Sequence, residues 1–79
     1  MTVNEALKWF AEMFEEPEEN IAPDTKREDI EGWDSLGILT LMAELDERLD
    51  ITLSQEELEN LSGIDDLLSV LRRHDALTE

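Results

Sequence analysis

Apolar residues recur at helical spacing on both sides of one long interruption, residues 17–34, and that layout restricts the chain to a bundle in which one connection far exceeds the others. Before the interruption, Val3, Leu7, Phe10 and Phe14 fall on one helical face, with Ala6, Ala11 and Met13 beside them, and Thr2 with Glu5 forms a capping box. A first helix is predicted over about residues 3–15. Pro17 and the acids around it, Glu15-Glu16 and Glu18-Glu19, end that helix, because the residue before a proline avoids helical geometry and negative charge is unfavourable at a helix C-terminus. Within the interruption two prolines and many charges leave Ile21, Ile30 and Trp33 as the apolar anchors that pin the connection to the bundle.

From Ser35 to about Leu49 the helical pattern carries two apolar stripes. At about 100° per residue, Ile38, Leu41, Met42, Leu45 and Leu49 cluster on one side and Leu36, Leu39 and Ala43 on another. A bundle this small buries one stripe fully, so the second, interrupted by Thr40, Asp46 and Glu47, reads as an exposed docking patch beside Ser35. Asp50-Ile51-Thr52-Leu53 forms an extended turn. Ser54 with Glu57 then caps a short third helix ending near Asn60 or Leu61, and Ser62 with Asp65 caps a fourth, carrying Ile64, Leu67, Leu68 and Leu71 and closing on Arg72, Arg73 and His74. The expected core is Val3, Leu7, Phe10, Phe14, Met42, Leu45, Leu49, Ile51, Leu58, Leu61, Ile64, Leu67, Leu68 and Leu71. Residues 1–79 read as a single all-α domain.

With 22 acids against six bases, the formal charge is −16. Such a field repels nucleic acid and anionic membranes, steers the chain toward protein partners with basic patches, and argues for a monomer stabilised by salt. Met1-Thr2-Val3-Asn4-Glu5 holds neither a basic stretch nor an apolar one, and no apolar run reaches membrane-spanning length. A cytoplasmic protein without membrane insertion is therefore expected. No cysteine is present, so stability must come from helix packing.

The chemical handle of the chain is Ser35, in the run Gly32-Trp33-Asp34-Ser35-Leu36. At the first turn of a helix, unpaired backbone N–H groups favour negative charge, so a hydroxyl there suits attachment of a phosphate. Catalysis by Ser35 is not expected. The single histidine, His74, lies in the last helical turn, and tryptophan stands at position 33 where a nucleophile elbow needs glycine. Residues 24–35 lack the spacing of oxygen ligands that a calcium loop requires, so no resident metal is expected either.

Asp34-Ser35-Leu36, with Gly32 just before it, resembles the phosphopantetheine signature of acyl carrier proteins. The order of helix, long loop, acidic second helix, short third helix and fourth helix matches that family across essentially the whole chain, with its up-down-down arrangement of longer helices. The resemblance implies that a phosphopantetheinyl transferase moves 4′-phosphopantetheine from coenzyme A to Ser35. It also implies a domain that carries acyl groups as thioesters without being an enzyme, and that delivers them to loading and transfer enzymes. Partner contacts would fall on Asp34, Leu36, Leu39, Ala43, Asp46 and Glu47, with Asp34 capping the loop or recognised by the transferase, since it would repel a phosphate.

Fatty-acid carriers usually have acids where this chain has Gly37 and Thr40, which implies a specialised role in lipid, lipopolysaccharide or secondary-metabolite synthesis. The run Ser35-Leu36-Gly37 and the apolar residues after it are also similar to stand-alone carriers of aminoacyl groups, such as D-alanyl or peptidyl carrier proteins. A plain acidic interaction domain without a prosthetic group is the competing class.

Overall fold

The structure of the protein, a computed structural model, describes residues 1–78. Its four α-helices are α1 (Val3–Met13), α2 (Ser35–Leu49), α3 (Gln55–Glu59) and α4 (Ile64–Arg73), and two single 3-10 turns, Glu18–Asn20 and Arg27–Asp29, lie in the long connection. No strand occurs among the described residues. The all-α bundle with a short third helix is as the periodicity predicts.

Both predicted capping boxes are complete. Thr2 Oγ1 accepts from the Glu5 N–H at 3.2 Å while Glu5 Oε1 accepts from the Thr2 N–H at 2.8 Å. The Ser54 and Glu57 pair does the same at the start of α3, with distances of 3.1 and 3.0 Å. In each pair the reciprocal hydrogen bonds hold the glutamate carboxyl below its ordinary range. α1 ends two residues earlier than expected. Glu15 turns left-handed (φ 54°), the Glu16 N–H reaches the Ala11 carbonyl at 2.9 Å and the Glu15 N–H reaches that of Glu12 at 3.3 Å, a Schellman closure made without glycine. α4 closes the same way through Asp75 (φ 57°), with Ala76 N–H on the Leu71 carbonyl at 2.8 Å.

The start of α4 departs from expectation. Its N-cap is Gly63, without a side-chain cap, and the carboxylate that reaches back to Ser62 is that of Asp66, not Asp65. Asp66 Oδ2 accepts from both the N–H and the Oγ of Ser62 at 2.7 Å, and these bonds lower its pKa. The helix begins one residue later because the preceding backbone is tied elsewhere. Gly63 forms an isolated antiparallel bridge with Lys26, the Ile64 N–H donates to the Thr25 carbonyl at 3.0 Å, and the Arg27 N–H donates to the Ser62 carbonyl at 2.9 Å.

The core is built around Phe10, Phe14, Leu41, Leu45, Ile51, Ile64, Leu67, Leu68 and Leu71, all of them almost wholly removed from water. Ile21, Ile30 and Trp33 are buried with them, so the long connection is pinned as expected. Four expected core residues are not fully buried. Val3, Leu7 and Leu49 pack at the margin, because α1 turns a face centred on Ala6, Trp9, Phe10 and Met13 inward and Leu49 sits in the last turn of α2. Met42 is 40% exposed because it lies at the edge of the inward stripe, about 60° from Leu39 and Leu45 alike at helical spacing. Among the described residues no helix is long and apolar enough to cross a membrane.

Candidate functional site

The connection delivers Ser35 to the solvent through a tightly packed corner. Phe14, at the end of α1, stacks on Trp33 with ring centroids 4.9 Å apart and planes 11° from parallel. Beside this stack two glycines let three backbones converge. A Cβ on Gly32 would overlap the carbonyl oxygen of Phe14, and one on Gly37 would overlap the carbonyl oxygen of Gly32 and lie 3.3 Å from the Phe14 ring. Gly37 is buried, and its lack of a side chain is what allows the first turn of α2 to seat against the connection.

Asp34 is the N-cap of α2, in extended geometry, and its Oδ1 accepts from the Gly37 N–H at 2.9 Å. The loop-capping role expected of Asp34 is therefore the observed one. The Ile38 N–H bonds to the Asp34 carbonyl at 2.9 Å, which leaves the N–H groups of Ser35 and Leu36 as the donors of this helix end without an intrahelical acceptor.

Ser35, the first residue of α2, is exposed, and its hydroxyl has no hydrogen-bond partner among the described residues. An accessible hydroxyl, two spare backbone donors and the positive end of a four-turn helix fit a phosphodiester in charge and in hydrogen bonding.

The sequence-derived patch is present as a surface. Leu36 is 71% exposed and Leu39 61%, and Ala43, Asp46 and Glu47 are exposed with them, while Leu41 and Leu45 on the other side of the helix are buried. Thr40 turns its hydroxyl back to the Leu36 carbonyl at 3.1 Å. Met42 joins this outward surface, and with Ile38, Leu58, Gln55, Glu59 and Arg27 it also lines a groove of about 370 Å³ between α2 and α3. Arg27 was not singled out from the sequence. It stands in the second 3-10 turn, and only its tertiary contacts give it a place near α2.

A helical bundle that presents one unencumbered serine at a helix N-terminus, beside exposed leucines, is the scaffold of a protein that carries an attached group. The family model for the phosphopantetheine attachment site matches residues 6–71, and the chain belongs to that family, which includes the acyl carrier proteins. Comparison with curated proteins and with solved structures returns no match. The prosthetic group of the family is covalently attached 4′-phosphopantetheine, and its carrier domains are not catalytic themselves. Membership brings with it interaction with a phosphopantetheinyl transferase and with acyl-handling enzymes in general.

Proposed function

We propose that Ser35 carries the 4′-phosphopantetheine arm and that the protein is a specialised carrier presenting acyl groups to lipid, lipopolysaccharide or secondary-metabolite enzymes. The observation that carries this reading is the exposed, unpartnered hydroxyl of Ser35 at the start of α2 inside the matched region. When attached, the arm supplies a terminal thiol that holds the acyl group as a thioester. The chain's own residues do the rest. The N–H groups of Ser35 and Leu36 and the dipole of α2 stabilise the phosphodiester, and Asp34 holds the first turn open for it through Gly37.

Leu36, Leu39 and Ala43 form the apolar centre of the partner surface, and Asp34, Asp46 and Glu47 supply charge at its margin. Basic patches on the transferase and on loading enzymes complement that margin, within a field set by the net charge of −16. The whole chain works as one carrier domain in the cytoplasm, as a monomer.

Incubation with coenzyme A and a broad-specificity phosphopantetheinyl transferase tests the attachment, with intact mass as readout. Wild type is expected to gain one phosphopantetheine and Ser35→Ala none. An adduct that persists in Ser35→Ala moves the site, and no adduct on wild type across several transferases ends the carrier reading. For the surface, Asp46→Lys with Glu47→Lys is expected to slow loading and flatten its salt dependence, and unchanged kinetics would place the docking surface elsewhere.

A further inference from the structure

The Ser35 end of the α2 surface is poor in charge. The first turn of α2 holds no acid, the Asp34 carboxylate is engaged with the Gly37 N–H at 2.9 Å, and the next acid along the helix is Glu44. Position 37 cannot take a charged side chain, because a Cβ there overlaps the Gly32 carbonyl oxygen. A further carboxylate on this side of Ser35 must therefore come from another element.

The end of α1 supplies it. A groove of about 380 Å³ between α1 and α2 is lined by Glu12 and Glu15 from the one and by Leu36 and Thr40 from the other, with Gly32 and Gly37 where the backbones meet. Glu12, Glu15 and Leu36 are exposed, and the last turn of α1 holds no basic residue. Two carboxylates thus add to the negative end of the helix dipole, a place where a cation is favoured and an acid is not. Unbalanced negative charge beside an exposed leucine fits an alkyl stem with a positive head, which is the chemistry of a lysine or arginine side chain.

Position shows which protein brings that side chain. Leu36 follows Ser35 directly, so an enzyme seated over the Ser35 hydroxyl covers the groove. Coenzyme A arrives with phosphates, which the two carboxylates repel, so the cation belongs to the enzyme that delivers it. We propose that the groove between α1 and α2 receives a lysine or arginine side chain of the phosphopantetheinyl transferase, which extends the docking surface from α2 onto the end of α1. Glu12 and Glu15 are positioning residues, acting through the enzyme's cation and not on the reacting atoms. This inference rests on attachment at Ser35, and its test begins once loading of wild type has been verified by intact mass, so failure of attachment is seen separately.

The test measures steady-state loading by a transferase that accepts wild type, with the carrier concentration varied. Glu12→Lys with Glu15→Lys is expected to raise KM for the carrier about tenfold at low salt and to leave kcat nearly unchanged, with the difference from wild type shrinking as salt is added. Its thermal midpoint is expected at or above that of wild type, since a base at a helix C-terminus is favoured, so slower loading is not loss of fold. Glu12→Gln with Glu15→Gln is expected to raise KM by a smaller factor, and Thr40→Glu added to that pair, which returns a carboxylate to the groove from the α2 side, is expected to recover part of the loss. Asp24→Lys with Asp65→Lys changes the net charge by the same amount in a groove that shares no residue with this one, and its KM is expected to rise about twofold at most. An unchanged KM in Glu12→Lys with Glu15→Lys, an equal rise in Asp24→Lys with Asp65→Lys, or no recovery with Thr40→Glu would each overturn the proposal.

Discussion

α4 and α2 are both helices of the bundle, yet they use their apolar residues in opposite ways. α4 buries Ile64, Leu67, Leu68, Val70 and Leu71 in ten residues and exposes no large hydrophobic side chain. α2, with fifteen residues, buries only Gly37, Leu41 and Leu45 and leaves Leu36, Leu39 and Met42 in water. One helix is devoted to stability, whereas the other gives up burial to hold a surface. The exposed leucines of α2 forgo the burial energy that α4 collects, roughly 1.5–3 kcal/mol for each fully buried side chain. In a bundle of 79 residues that is a large sacrifice, and it is the one the docking surface proposed for α2 would require.

Truncation is the sharpest way to break the contrast. Leu68→Ala and Leu41→Ala remove side chains that are 1% and 0% exposed, and each is expected to cost about 2–5 kcal/mol in a urea unfolding curve. Leu36→Ala and Leu39→Ala are expected to stay within about 0.5 kcal/mol of wild type while slowing transfer to partners. A loss of stability at Leu39 as large as at Leu41 would make both stripes core.

The glycines of the Ser35 corner come next. Alanine in a helix interior is ordinarily favoured over glycine by up to about 1 kcal/mol, so Gly37→Ala would stabilise α2 if its first turn were free. Because a Cβ there meets the Gly32 carbonyl, the variant is expected to lose about 1–3 kcal/mol instead. The same experiment bears on the role of the chain. Gly37 stands where fatty-acid carriers usually place an acid, and the buried backbone contact explains its identity without any appeal to a change of partner.

A smaller effect, at the start of α4, depends on pH. Asp66 bonds twice to Ser62 and has a lowered pKa, so the stability it contributes is full above the ordinary carboxylate range and is lost as pH falls through its folded value. Asp66→Ala is expected to cost about 1 kcal/mol at neutral pH, and the gap from wild type should close when titrated below about pH 4. A gap that persists in acid would assign the loss to packing.

The smallest effects are at the helix C-termini. Glu15, Asp50 and Asp75 all adopt left-handed φ with an acidic side chain near the negative end of a helix dipole. Glu15→Gly, Asp50→Gly and Asp75→Gly are each expected to raise stability by about 0.5–1 kcal/mol. The three helices should respond alike, since the cost is local and independent of which face a helix exposes.

Much of this was legible in the chain because it depends on neighbours in sequence. The Thr2 with Glu5 and Ser54 with Glu57 boxes are three-residue relationships, and the helices begin where those pairs place them. The two stripes of α2 follow from helical period alone, and exposure of Leu36 and Leu39 against burial of Leu41 and Leu45 follows the same angles. Met42 was misplaced because it sits between the stripes, where the angle does not decide and the neighbouring groove does. The late start of α4 was illegible because Thr25, Lys26 and Arg27, far away in sequence, hold the backbone at Ser62, Gly63 and Ile64.

By itself the sequence determined the helical period, the caps, the −16 field and the serine at the head of α2, all properties set by adjacent residues and by composition. Only the tertiary structure decided that Gly32 and Gly37 are demanded by contact with other backbone, that Asp66 and not Asp65 reaches Ser62, and that Arg27 lies in the groove beside α2. The reason is physical: close approach and shared hydrogen bonds between distant segments depend on how the connection folds back over the bundle, and no local periodicity carries that path.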